Sequence, residues 1–438
     1  MPLTAEFYRS RRRELMSLMG DGAAAVVAAG RERIRSNDVE YRFRSNSDFG
    51  YLTGFPEPDA LCLLLPGHPD HEYVLFVRPR DQERETWTGR RSGIEGAVQV
   101  YGADAAHPVE RASELIPDLL QDRESIYHSL ARRSECDQQV LDWIEKLQVG
   151  RQRSGRGPTV QEDLRAVLHE MRLYKRPEEI EAMRHVAEIS CNAHRKAMRR
   201  VAPGVREYEI EAELEYVFRS SGAAGPAYPS IVAGGENAAI LHYTENCCTL
   251  EESDLILIDA GAEFDGYCGD VTRTFPVGKR FDGRHRALYE VVLAAQLAAI
   301  EKVVPGNVFD DAHEEATRVL VEGLIELGIL DAGVNEAIEK ALYTQFYMHR
   351  TSHWLGRDVH DVGGYREGDA SRTLEPGMVL TVEPGLYLGA HTAAPPHWQG
   401  LGIRIEDDVV VTGDGCEVLT DRAPKRIDDI EALRRDAG

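Results

Sequence analysis

The sequence predicts an α/β (α+β) protein of two domains: a small N-terminal α/β domain over 1–173 and a larger one over 174–438. Three observations predict it. A chain of 438 residues is too long for one ordinary core. Apolar runs at Leu61–Leu65 and Tyr73–Val77, flanked by Pro and Gly, read as buried strands of a first domain. The C-terminal part carries one order of elements twice, which reads as two pseudo-equivalent halves.

After the N-terminal strands, Gly150–Pro158 is short, basic and Gly-rich, the best linker candidate. A helix is expected from Val160 to Leu173. Pro177 opens another, with Ile180, Met183, Ala187 and Cys191 at helical spacing. The repeat then begins. Helix, Pro203-Gly204 and a helix with Ile210, Leu214 and Val217 are answered by helix, Pro305-Gly306 and a helix with Ala316, Val319, Leu320 and Leu324. A histidine segment and a carboxylate-bearing strand pair follow each: His242 before Asp259 and Asp270, His353 before Glu383 and Glu406.

Composition narrows the function classes. Net charge is 51 − 74 = −23, which argues against nucleic acid or an anionic membrane as partner. Ala23–Ala29 is far shorter than the ~20 residues a membrane helix needs. The N-terminus has no apolar signal core. Seven irregularly spaced cysteines (62, 136, 191, 247, 248, 268 and 416) suggest neither a disulfide framework nor a zinc finger. The expectation is a soluble, cytoplasmic protein.

Asp265-Gly266 is a two-residue hairpin signal. It pairs Phe264 with Tyr267 and Gly261 with Asp270, making Asp259 and Asp270 diagonal neighbours on one face. In the second half Glu383 shares a face with Val379 and Thr381. Arg404 and Glu406 share another, opposite Ile403 and Ile405. Four acids at matching positions in two halves would repel one another unless protonated or bound to cations. Glu406-Asp407-Asp408, taken alone, could be a charged sheet edge. Oxygen ligands with one imidazole suit two ions of Mn²⁺, Mg²⁺ or Co²⁺, with Zn²⁺ admissible. Such a pair activates a shared water and polarises a carbonyl.

The motifs Leu241–Asn246, Ile258–Gly261, Gly269–Pro276, Ser352–Asp361, Leu380–Tyr387 and Gly402–Glu406 resemble those of the creatinase/aminopeptidase ("pita-bread") superfamily, and within it the bacterial aminopeptidase P family. Arg44–Phe55 resembles that family's first domain, so the likeness covers nearly the whole chain. The resemblance implies a pita-bread catalytic domain and a dimanganese centre held by Asp259, Asp270, His353, Glu383 and Glu406. Asp270 and Glu406 would bridge the ions. It also implies substrate contacts from His242, His349 and His360, with Arg404 and Tyr387 supporting the ligands. Trp87 resembles a tryptophan that reaches a neighbouring subunit of a homo-oligomer, a dimer or tetramer. One departure stands out: His349-Arg350-Thr351-Ser352-His353 carries Arg where relatives often have Gly, which bears on pocket width and the turn.

The implied activity is hydrolysis of the N-terminal Xaa-Pro bond of proline-containing peptides by a metal-bridging hydroxide. Glu383 would shuttle the proton, and His360 would help stabilise the oxyanion. A prolidase acting on dipeptides, and a metal-free or creatinase-type relative, are the alternatives.

Overall fold

The computed structural model describes residues 3–130 and 135–435. The chain divides into two compact units, Met1–Met171 and Arg172–Gly438.

The N-terminal unit is a six-stranded sheet in spatial order Ala105–Pro108, Tyr73–Val77, Leu61–Leu64, Ala23–Ala28, Ser125–Tyr127 and Val160–Glu162. Its apolar runs are continuous because both faces are covered. Ala25, Val27, Cys62, Leu64 and Leu75 join one core; Ala24, Val26, Leu63, Val74 and Phe76 join the other. Two expectations need correction here. Val160–Glu162 is an edge strand paired parallel with Ser125–Tyr127, and the helix starts only at Arg165. The Gly-rich stretch lies inside the first unit, with Gly150 to Ser154 finishing the helix Glu135–Ser154.

In the C-terminal unit the repeat is physical. Helices Pro177–Arg200 and Glu207–Ser220 pack together, as do Gly283–Ile300 and Phe309–Glu326. At both breaks the glycine takes positive φ, 85° at Gly204 and 90° at Gly306, where a side chain would be strained. At both following helices an acid caps the start: Glu209 accepts from the Arg206 N–H and Asp311 from the Val308 N–H.

Each helix pair covers a twisted strand ladder. In the first half Leu255–Asp259 pairs with Thr272–Pro276, and Asp259 faces Thr272. Phe264 faces Tyr267 across Asp265-Gly266, both left-handed at φ 54° and 78°. The register runs without a bulge from turn to ladder, as expected. It splits into two sheets at Gly261, where a Cβ would lie 1.7 Å from the Gly269 carbonyl oxygen. In the second half Val382 faces Asp407 and Gly385 faces Arg404, which leaves Glu383 opposite Glu406.

Candidate metal centre

Aligning the halves on Asp259, the last residue of Leu255–Asp259, and Glu383, the residue after Val379–Val382, makes Thr272 equivalent to Glu406 and Asp270 equivalent to Arg404. Two hydrogen bonds agree. The Asp270 N–H donates to Asp408 Oδ2 at 3.1 Å, and the Arg404 N–H donates to Thr274 Oγ1 at 3.2 Å. Each is the other's counterpart across a pseudo-two-fold axis. The four acids are therefore not at matching positions, contrary to the expectation. One half presents a diagonal pair and the other a directly opposed pair, with Arg404 standing where the diagonal acid would be.

The elements still bring the acids together. Asp259, Asp270, His353, Glu383 and Glu406 line one cavity of about 1010 Å³. His353 Nε2 is 3.4 Å from Asp270 Oδ2 and 3.6 Å from Glu383 Oε1. Asp270, His353 and Glu406 each offer a ligand atom within 4.8 Å of the others. His353 arrives on a segment that flanks the second ladder: its carbonyl accepts from the Thr381 N–H at 3.0 Å, and Thr351 accepts from the Glu383 N–H at 2.8 Å. Ile231–Gly234 flanks the first ladder in the same way, with Ile231 facing Asp259. Ala233 stands where the second half has His353.

Surrounding groups fix the carboxylates. Arg404 Nη2 donates to Asp259 Oδ2 at 2.6 Å, Nη1 to the Tyr387 hydroxyl at 2.9 Å, and Nε to Thr272 Oγ1 at 3.1 Å. His349 Nε2 meets the same Tyr387 hydroxyl at 2.8 Å. Thr272 Oγ1 donates to Glu406 Oε2 at 2.7 Å. The His360 ring packs edge-on to His353, centroids 4.4 Å apart. His242 is exposed at the cavity wall.

The electrostatics test whether cations fit. Burial, then the neighbouring acids, push the Glu383 carboxyl up to about 8 and Glu406 well above the carboxylate range; burial also raises Asp270. His353 is pulled down by burial, but its hydrogen bond to Asp270 and the Glu383 charge hold it up at about 9. A cluster of this kind is over-supplied with negative charge. Divalent cations would let the acids ionise and would displace the imidazolium proton. The donor set fits hard divalent ions, with oxygen in the majority and one imidazole. His349 is held down at about 4 by burial and then Arg404, and burial lowers His360.

Several residues here were not singled out from the sequence. The Tyr228 hydroxyl lies 2.7 Å from Asp259 Oδ1 and also contacts Asp270 Oδ1. Nothing in Ala227-Tyr228-Pro229 announces this. Half-buried His313 and buried Tyr347 and Thr351 form a hydrogen-bonded set behind the His349 turn, with His313 Nδ1 at 2.9 Å from Thr351 Oγ1. Asp407 and Asp408 are buried rather than a charged edge: Asp407 is bound by Arg273 at 2.6 Å and Lys425 at 2.6 Å. Trp87 lies in the N-terminal unit, 85% exposed on the helix Gln82–Thr88.

Residues 181–413 match the metallopeptidase family M24, and residues 8–127 match the aminopeptidase P N-terminal domain. The chain belongs to the aminopeptidase P branch of the M24 metallopeptidases. It is 44% identical over 432 residues to the Xaa-Pro aminopeptidase of Escherichia coli K12, covering 98% of each chain. A solved structure of Pseudomonas aeruginosa aminopeptidase PepP superposes with a TM-score of 0.97 at 48% identity, covering 100% of this chain and 99% of that one. Proline aminopeptidase P II from Yersinia pestis gives 0.95 at 47% identity, covering 99% and 100%. The pita-bread α/β architecture and the enzymatic class expected from the motifs are those of this family.

Proposed function

We propose that this metallopeptidase removes the N-terminal residue of peptides whose second residue is proline, using two divalent ions, Mn²⁺ first among the candidates. One observation carries the reading: buried Asp259, Asp270 and Glu406, half-buried Glu383 and His353 line one cavity, a concentration of acids that divalent cations would balance. The names of the full-length relatives supply the Xaa-Pro specificity.

Asp259, Asp270, His353, Glu383 and Glu406 would hold the ions. Bound ions supply Lewis acidity and bring the pKa of water toward neutrality. Glu383 then accepts a proton and passes it to the proline nitrogen as the bond breaks. Its Oε2 faces His349 Nδ1 at 3.9 Å, away from the His353 side. His360 and His242, on the cavity wall, donate to the developing oxyanion and orient the peptide. Arg404 holds Asp259 in place through its hydrogen bond, and Tyr387 ties Arg404 to His349. The scissile Xaa-Pro amide has no N–H, so a site that asks for none accepts it.

We place the enzyme in the cytoplasm, supported by seven free cysteines. Among the described residues no helix is long and apolar enough to cross a membrane. A homo-oligomer is supported by exposed Ile34, Val39, Tyr41 and Trp87 in the N-terminal unit. There Trp87 would reach a neighbouring subunit's site. The test of function is release of the first residue from Xaa-Pro-Yaa by metal-loaded protein. Cleavage of Xaa-Pro dipeptides alone would make it a prolidase, and full turnover by protein stripped of all divalent metal would contradict the metal reading.

A further inference from the structure

The cavity has a second charged region that the hydrolytic residues do not use. Arg350, Arg366 and Asp310 line its wall together with Phe309 and Tyr365. Arg350 Nη2 donates to Asp310 Oδ1, and Arg366 Nη1 lies 4.0 Å from Asp310 Oδ2. Two guanidiniums thus share one carboxylate, and 2 − 1 leaves one surplus positive charge. Asp310 fixes Arg350 in place: its own N–H donates to Ser371 Oγ at 3.1 Å, so the carboxylate sits on an anchored backbone. The Arg350 and Arg366 side chains remain 55% and 57% exposed, open to a ligand. A guanidinium carries five N–H donors in a fork, and one aspartate engages only part of it.

Position assigns the ligand. An enzyme that removes one residue has the peptide's ammonium one residue from the scissile carbonyl at the acidic cluster. All remaining length extends to the proline side. Arg350 follows His349, whose Nε2 meets the Tyr387 hydroxyl beside Arg404, and its side chain leads from there to Asp310. An extended peptide advances ~3.3 Å per residue, so an arginine side chain spans about two residues.

We propose that Arg350, assisted by Arg366, is a specificity determinant: it recognises a carboxylate one or two residues beyond the proline. The carboxylate is either the C-terminus of a short peptide or an acidic side chain. The proposal rests on the Xaa-Pro reading above. It gives Arg350 a role in selecting short or acidic peptides.

The test compares Ala-Pro-Ala, Ala-Pro-Ala-amide and Ala-Pro-Glu-amide on Mn²⁺-loaded wild type, Arg350→Met and Arg350→Lys. Wild type should favour the carboxylate peptides over the plain amide by about fivefold in kcat/KM, chiefly through KM, as an exposed ion pair supplies. Arg350→Met should bring the ratio near one, and Arg350→Lys should restore part of it. A preference for Ala-Pro-Ala alone assigns the C-terminus; a preference shared by Ala-Pro-Glu-amide admits the side chain. Titration calorimetry of Pro-Ala and Pro-Ala-amide repeats the comparison without turnover, so a failed peptidase reading would not pass for a failed carboxylate site. Equal ratios in wild type and Arg350→Met, by both measurements, overturn the proposal.

Discussion

Thr272 and Glu406 face each other across the pseudo-two-fold axis of the catalytic unit. The Glu406 N–H donates to the Thr272 carbonyl at 3.1 Å, and Thr272 Oγ1 donates to Glu406 Oε2 at 2.7 Å. They occupy equivalent positions in the two halves, yet only one is an acid. The hydroxyl orients the carboxylate its own half lacks. Thr272→Val keeps the shape and removes the donor. Mn²⁺ affinity should fall about 10- to 100-fold, as for other groups that orient metal ligands. Calorimetry checks this; unchanged affinity would show the hydroxyl to be idle.

Tyr228→Phe removes a hydroxyl that touches both Asp259 and Asp270. If that hydroxyl presets their spacing, Mn²⁺ should bind about tenfold more weakly with the fold intact. If instead it only fills the gap between two acids, affinity should rise, because an ion no longer has to displace it. A thermal melt with and without Mn²⁺ separates the two, since the ligand-induced rise in Tm tracks affinity.

His353 has no counterpart in the first half, where Ala233 stands. His353→Ala therefore makes the two halves more alike and removes the imidazole from the proposed ligand set. The expected result is one retained ion per chain by elemental analysis, against two in wild type. Two retained ions of undiminished affinity would remove His353 from the ligand set.

Away from the metals, Asp361 is buried between Arg172 at 2.5 Å and Lys175 at 3.1 Å. Burial alone would raise its carboxyl, but the Lys175 and Arg172 charges outweigh it and hold it below the ordinary range. A depressed folded pKa contributes stability that is present above the unfolded value, ~3.9, and is lost as pH falls through the folded one. Asp361→Asn should cost roughly 3–5 kcal/mol at pH 7 by taking the carboxylate from buried Lys175 and leaving Arg172 to Asp358. The gap between variant and wild type should narrow below about pH 4. Urea melts at pH 7 and at pH 3.5 measure it; a gap constant with pH would refute the pairing.

Much of this was legible in the sequence because it is local or periodic. Asp265-Gly266 announces its turn, and the turn carries the register to Asp259 and Asp270 without a bulge. Pro-Gly breaks and capping acids mark the repeat. What could not be read depends on chain segments far apart. Tyr228 reaches Asp270 across 42 positions, and Arg273 finds Asp407 across 134. The supposed match of the four acids failed because order along the chain says nothing of register across the axis. That register sets Asp270 against Arg404 and Thr272 against Glu406. The Gly-rich stretch misled as a linker because its first residues finish a helix of the first unit.

The most direct measurement is Mn²⁺ titration of metal-stripped protein while following release of arginine from Arg-Pro-Pro. The prediction is two ions bound per chain, no release before metal is added, and release that rises as the ions bind. Release at full rate without metal, or two ions bound with no Xaa-Pro cleavage at any loading, would contradict a dinuclear Xaa-Pro aminopeptidase.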